Sequence, residues 1–104
     1  MTVPSAPLFK LTRITADAAI KAAPGKIWAI MLEGGSDASS LDFLDALTLT
    51  GTAVIGITAP FTDADASTQS TVFVDFTSLG GISFATGIYC DHTGTGAIGY
   101  VWTS

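Results

Sequence analysis

Three apolar runs in the last third of the sequence, residues 72–76, 80–90 and 97–102, constrain the fold more than any other feature. They are rich in aromatic and β-branched side chains, and glycine-bearing connectors separate them. Runs of this kind predict β-strands, because a helix needs a longer run with apolar residues about every 3.6 positions. We therefore expect these segments to be the last strands of a small all-β domain.

Residues 26–33 predict the best-defined strand of the first half. Alternation gives this strand two apolar faces, one with Trp28, Ile30 and Leu32 and the other with Ile27, Ala29 and Met31. A strand that is apolar on both sides predicts that its second face meets another copy or another protein, or that a curled sheet covers it. Residues 39–47 also fit a helix, since leucines recur there at three-residue spacing, but Gly51 would soon end it, and we expect a strand.

The whole chain of 104 residues fits one domain with seven or eight short strands, which is typical of a sandwich, a jelly roll or a small barrel. Residues 1–7 contain Pro4 and Pro7 and are expected to be an extended arm before a domain at 8–104. The segment 93–96, Thr-Gly-Thr-Gly, predicts a hairpin into the last strand. The large polar aromatic residues are expected in the core more often than in a sugar-binding groove; they are Trp28, Tyr89, Tyr100 and Trp102.

The net charge of −5 argues against a nucleic-acid partner, because phosphate binding needs a basic face. All four cationic residues lie before position 27, where they are either solvated or meet an acidic partner or the acidic part of a neighbouring copy; they are Lys10, Arg13, Lys21 and Lys26. No signal peptide is apparent, and the longest apolar run, 27–32, is far shorter than the ~20 residues that cross a bilayer. We therefore expect no membrane partner and synthesis in the cytoplasm.

Three segments imitate functional motifs without completing them. Residues 94–99 match G-x-G-x-x-G, yet no helix follows to receive a pyrophosphate. Asp63 and Asp65 begin like a calcium loop that then lacks the required Gly and Glu, so whether this loop binds a cation stays open. Cys90 and His92 could share one strand face, but a zinc site needs three or four protein ligands. The sequence therefore predicts no catalytic residue, no metal and no cofactor.

Two longer segments carry a family resemblance. Residues 81–89 fit the pattern G-I-x-F-x-T-G-[IL]-Y before a closing glycine-rich turn, and residues 20–28 are similar to V-x-x-x-P-G-x-[IL]-[YW]. In these features, spread over about residues 14–102, the chain resembles the short structural proteins of tailed bacteriophages, particularly capsid decoration or head-fibre proteins.

The resemblance implies a jelly-roll-like β-sandwich on the capsid surface of a virion, with the major capsid protein as partner and three copies per assembly. The predicted function is that of a non-enzymatic protein that decorates or cements the capsid. The alternative is a carbohydrate- or receptor-binding module of a tail or neck appendage, with exposed aromatic side chains as stacking platforms. The interface candidates are Lys10, Arg13, Ala29, Met31 and Phe73.

Overall fold

A computed structural model describes residues 9–59 and 71–104, which form nine β-strands and one 3₁₀ turn. The strands are β1 Lys10–Ile14, β2 Ala18–Lys21, β3 Gly25–Glu33, β4 Ser39–Leu44, β5 Ala53–Ala59, β6 Thr71–Asp75, β7 Ile82–Phe84, β8 Ile88–Thr93 and β9 Ile98–Thr103, with the 3₁₀ turn at Thr77–Leu79. The expected arm at 1–7 and the loop with Asp63 and Asp65 lie outside the described residues. Within the described ranges, no helix is long and apolar enough to cross a membrane.

Two antiparallel sheets form the fold. Sheet I has the order β1-β9-β3-β6, with β7 also paired to β3, and sheet II has the order β2-β8-β4-β5. β6 and β7 pair with successive parts of β3, so they are one edge strand that the 3₁₀ turn interrupts. Counted in this way, eight strands in two four-stranded sheets have the order of a jelly roll. The predicted all-β, jelly-roll-like β-sandwich is confirmed.

Consecutive strands pass from one sheet to the other, except that β4 and β5 are neighbours in sheet II and that β6 and β7 both belong to sheet I. The hairpin predicted at 93–96 is therefore wrong, since β8 belongs to sheet II and β9 to sheet I. Gly94 and Gly96 do adopt positive φ angles of 118° and 74°, as a tight connection requires. A glycine-rich turn fits a hairpin and a crossing between sheets equally well, and the distant partners of β8 and β9 decide between them.

The core lies between the two sheets and takes alternate residues from their strands. Its largest fully buried side chains are Phe43 on β4 and Phe84 on β7. Burial of one such side chain stabilises the fold by about 1.5–3 kcal/mol. The buried cluster is Ile14, Ile20, Ile27, Ile30, Leu32, Leu41, Phe43, Ile57, Ala59, Phe76, Phe84, Ile88, Cys90, Ala97 and Val101.

A β-bulge changes the expected faces of β3. The register shifts between Ile27, which lies opposite Thr103, and Ala29, which lies opposite Trp102, so Trp28 is the extra residue. Ile27 consequently joins Ile30 in the core, with both side chains fully buried. The prediction that Trp28 shares the face of Ile30 is wrong, because the bulge turns Trp28 away from the core.

Other local predictions are confirmed. Residues 39–44 form a strand rather than a helix, because their alternate side chains, such as Leu41 and Phe43, fill the space between the sheets. On β6, Phe73 is exposed, whereas Val72 and Val74 pack against the core, as the alternation predicts.

Carboxylates hold the loops at both ends of the sandwich. Asp37 accepts hydrogen bonds from the backbone N–H of Thr95, at 2.7 Å, and from its hydroxyl, at 3.0 Å. At the opposite end, Asp45 accepts hydrogen bonds from three consecutive backbone N–H groups, those of Ala85, Thr86 and Gly87. The loop between β3 and β4 is thus fastened to the loop between β8 and β9, and the loop between β4 and β5 is fastened to the loop between β7 and β8.

Candidate interaction surface

The outer face of sheet I is covered by large apolar and aromatic side chains. The strand register places them side by side: Trp102 on β9 lies between Leu11 and Ala29, and Tyr100 lies between Arg13 and Met31. We call this surface the aromatic face, and it consists of Phe9, Leu11, Trp28, Met31, Phe73, Tyr100 and Trp102.

These side chains remain open to solvent. Phe9, Leu11 and Phe73 are 48%, 53% and 55% exposed, and the other four members are half-buried. The three most exposed side chains leave roughly 300 Å² in contact with water, a patch size that is often functional on a single chain. The opposite side of the same strands carries the core, so sheet I is apolar on both sides.

Contacts within the aromatic face hold its rings in place. Phe9 packs edge-to-face on Trp28, with ring centroids 5.4 Å apart, and Phe73 packs in the same way on Trp102 at 6.0 Å. The indole Nε1 of Trp28 donates a hydrogen bond of 2.8 Å to the Ser104 hydroxyl. Such fixed rings lose little conformational freedom when a partner covers them, which favours binding.

The expectation that the tryptophans and tyrosines lie in the core is wrong. Trp28, Tyr100 and Trp102 are half-buried on the outer face of sheet I, and Tyr89 is half-buried on sheet II. On the inner side of β9, Gly99 lies so close to the Leu41 side chain of sheet II that a larger residue does not fit at this position. No room remains there for an indole or a phenol ring.

Three of the interface candidates lie in one row across sheet I. Arg13 is opposite Tyr100, which is opposite Met31, which is opposite Phe73. Ala29 occupies the next row but is only 9% exposed.

Lys10 lies apart from the aromatic face. It lines a cavity of about 300 Å³ between the edges of the two sheets, where its neighbours are Ile20, Lys21, Thr103 and Ser104. Alternation along β1 explains this position, since Leu11 and Arg13 take the outer side of the strand.

Sequence reasoning missed five members of the aromatic face: Phe9, Leu11, Trp28, Tyr100 and Trp102. The available signal was the residue type, since Tyr and Trp are enriched in interfaces and have polar atoms that favour partial exposure. Alternation placed Tyr100 and Trp102 on one side of β9 but gave no indication of which side is outside.

The outer face of sheet II is acidic by comparison. Asp42 on β4 lies opposite Asp91 on β8, and Asp17 accepts a hydrogen bond of 2.7 Å from the backbone N–H of His92. Partial burial, and then the charges of Asp17 and Asp42, raise the pKa of Asp91 above its ordinary value. We call Asp17, Asp42 and Asp91 the acidic face.

Cys90 and His92 do not form a reactive pair. Cys90 is fully buried, and that burial raises the pKa of its thiol to about 12, so the thiol stays protonated at neutral pH. The His92 Nε2 atom lies 2.8 Å from the carbonyl oxygen of Ala97 and is occupied there. Among residues 9–59 and 71–104, no group of three or more His, Cys, Asp or Glu side chains is placed to hold a metal ion.

Comparison with known proteins gives no relative: no family model, no curated protein and no solved structure matches this chain. The resemblance to phage structural proteins thus stays a prediction from residues 14–102. Among the described residues, the aromatic face is the feature that bears most directly on function.

Proposed function

We propose that this chain is a non-enzymatic structural protein that binds other protein subunits through the aromatic face. From the resemblance, we further propose that these subunits form the capsid of a tailed bacteriophage, which the chain decorates or cements. The observation that supports subunit binding is the row of ordered, partly exposed aromatic side chains on the outer side of sheet I.

The composition of the aromatic face fits a protein partner. Aromatic side chains, Met and Arg are enriched in interfaces, and Trp, Tyr and Arg account for most residues with a large effect on affinity. Arg13, Tyr100, Met31 and Phe73 bring these residue types into one row.

A stable interface buries about 800 Å² on each partner. The exposed apolar part of the aromatic face supplies less than that, so the partner also contacts polar groups around it. Arg13 and Lys26 lie at this surface, and the Lys26 ammonium is 5.5 Å from the centre of the Trp28 ring. Asp75, opposite Ala29, and Glu33, opposite Thr71, lie on the same outer side, so the polar groups around the rings offer a partner both signs of charge.

Sedimentation with phage heads tests the proposal. Heads of the phage that encodes this chain, prepared without it, are mixed with the purified chain and pelleted. We expect saturable binding, which Phe73→Glu weakens by about 30-fold or more because a charge would be buried without a partner. Thr93→Glu, on the outer side of sheet II, should bind as the unchanged chain does.

Two results would contradict the proposal. Equal binding by the Phe73 and Thr93 variants would remove the aromatic face from the interface. A gene located outside any phage genome, or a chain that ignores these heads, would remove the capsid assignment. Gene position beside the major capsid protein gene would support it.

The second candidate function is carbohydrate binding, because Trp28, Tyr100 and Trp102 lie together on an open sheet surface rather than in the core. Rings of this kind can stack on sugars. Since both tryptophans of the chain belong to the aromatic face, an oligosaccharide bound there should quench their fluorescence. Quenching by a glycan together with no binding to heads would favour this candidate over decoration.

A further inference from the structure

The outer edge of β5 is a second exposed feature of the described residues, and it belongs to sheet II whereas the aromatic face belongs to sheet I. Within the described residues β5 pairs only with β4, so no strand lies along its other side. A free edge presents backbone N–H and C=O groups that can pair with a strand of another chain.

The other sheet edges carry features that discourage such pairing. β1 has Lys10 and Arg13, and β2 has only four residues and ends at Lys21. The edge made by β6 and β7 has Asp75 and is interrupted by the 3₁₀ turn. Charges, short length and interruptions are the usual protections of edge strands.

β5 has few of these protections. It is seven residues long, with the sequence Ala-Val-Ile-Gly-Ile-Thr-Ala, and contains neither a charge nor a proline. Its one irregularity is a β-bulge at Val54, near its beginning, which leaves residues 55–59 in regular register with β4. The strand is therefore long and apolar enough to serve as a template for another strand.

The sequence of β5 also reads almost the same in both directions from Gly56. If two copies of β5 pair antiparallel about a two-fold axis at Gly56, Ile55 of each copy lies opposite Ile57 of the other. Beyond this regular part, the exposed side chains of Val54, at the bulge, and Thr58 come near each other, and they have nearly equal shape. Ile55 and Ile57 lie towards the core, whereas Val54 and Thr58 are exposed, so each opposing pair lies on one side of the joint sheet.

We propose that β5 binds β5 of a second copy of this chain and joins two four-stranded copies of sheet II into one continuous sheet. The two-fold register at Gly56 specifies a second copy rather than an unrelated strand, because each β5 residue then meets one of its own kind or shape. This pairing goes beyond the proposed function and does not depend on it.

The mass of the chain in solution tests the pairing. Sedimentation equilibrium of the full chain should give twice the mass of the 10.6 kDa chain. A mass of one chain at roughly millimolar concentration would overturn the pairing. A mass of three chains would also overturn it and would agree instead with the trimer that the phage resemblance implies.

Charges at Val54 and Thr58 test the register. Val54→Lys combined with Thr58→Lys places two like-charged pairs opposite each other, and we expect the dimer to weaken by about tenfold. Val54→Lys combined with Thr58→Glu creates two attractive pairs and should restore dissociation to within about threefold of the unchanged chain. Within one strand the two positions are roughly 13 Å apart, so effects inside a single chain are small.

Equal dissociation constants for these two double variants would overturn the register. Tryptophan fluorescence distinguishes pairing through β5 from binding through the aromatic face, since Trp28 and Trp102 both lie on the aromatic face. Pairing of β5 should leave their emission unchanged, whereas coverage of the aromatic face should alter it. The variant with two lysines should still bind phage heads, so either proposal can fail alone.

Discussion

The outer faces of the two sheets differ although the sheets share one core. Sheet II follows the ordinary pattern of a half-buried strand, with Asp42 and Asp91 on the solvent side and Leu41 and Phe43 inside. Sheet I places apolar residues on both sides, with Ile30 inside and Met31 outside on the same strand. The core needs only one apolar side of each sheet, so the second apolar side of sheet I requires another explanation.

The difference shows that the fold itself does not demand the aromatic face. The rings add contacts with one another, as Phe73 does with Trp102, but they remain half in water and contribute less than a core residue would. Exposed apolar groups also raise the risk of aggregation. A surface that costs solubility and adds little stability is best explained by what it binds.

The largest expected effect comes from making the aromatic face resemble the acidic face. Met31→Glu, at the centre of sheet I, should weaken binding to phage heads by about 30-fold or more, because the partner would bury an unpaired charge. Ser40→Glu, on the outer side of β4 in sheet II, is the matched control and should change binding by less than about threefold. Similar losses for both variants, measured by sedimentation, would mean that the two outer faces do not differ in function.

The next prediction concerns the inner sides of the two sheets, which should both contribute to the packing of the shared core. A Cβ atom at Gly99 of sheet I would lie 2.5 Å from the Leu41 Cδ1 atom of sheet II. Gly99→Val should therefore lower the free energy of unfolding by about 1–3 kcal/mol in urea denaturation. Combining it with Leu41→Ala should cost less than the sum of the two single changes, because the smaller residue makes room. Strict additivity would show that the sheets do not meet at this pair.

The acidic residues near sheet II should have two different effects on stability. Some stabilise the fold through hydrogen bonds, whereas others only repel neighbouring carboxylates. Asp45 belongs to the first group, since the N–H groups of Ala85, Thr86 and Gly87 stabilise its charge and lower its pKa. A lowered pKa in the folded state gives stability that is present above the unfolded pKa and is lost as the pH falls through the folded pKa. Asp45→Asn should therefore lower the thermal midpoint clearly at neutral pH, and the difference from the unchanged chain should shrink in acid. A difference independent of pH would contradict this account.

Substitution of Asp91 should have the smallest effect on the thermal midpoint, and its sign at neutral pH should be opposite to that of Asp45→Asn. The pKa of Asp91 is raised by burial and by Asp17 and Asp42, so the folded chain loses stability as the pH rises from the unfolded pKa through the folded pKa. Asp91→Asn should raise the thermal midpoint slightly at neutral pH and leave it unchanged at low pH. Destabilisation at neutral pH would mean that Asp91 makes a favourable contact in the acidic face.

Much of the fold could be predicted from local pattern. The strand at 39–44 and the two sides of β6 followed from alternation, because a strand that is buried on one side repeats every two residues. On the candidate surface, alternation identified Met31 and Phe73 as interface residues, and the positive charge of Arg13 identified a third. All three lie in one row across sheet I. The position of Lys10 in the cavity beside Lys21 was not predicted, because it depends on how the edges of the two sheets meet.

The remaining features depend on contacts between residues far apart in the sequence. Whether residues 93–96 form a hairpin is decided by β8 pairing with β2 and β4 while β9 pairs with β1 and β3. The exposure of Trp28 depends on a bulge in β3 opposite β9, which leaves no mark on the hydrophobic pattern.

The sequence by itself determined that the chain forms short strands and which residues share a side of each strand. Only the tertiary structure decided that Tyr100 and Trp102 face outward, that β5 has no second neighbour among the described strands, and that sheet I is apolar on its solvent side. The physical reason is that alternation defines two sides of a strand without ranking them. The stacking of one sheet on the other buries one side of each strand, and the order of the strands determines which edges stay open.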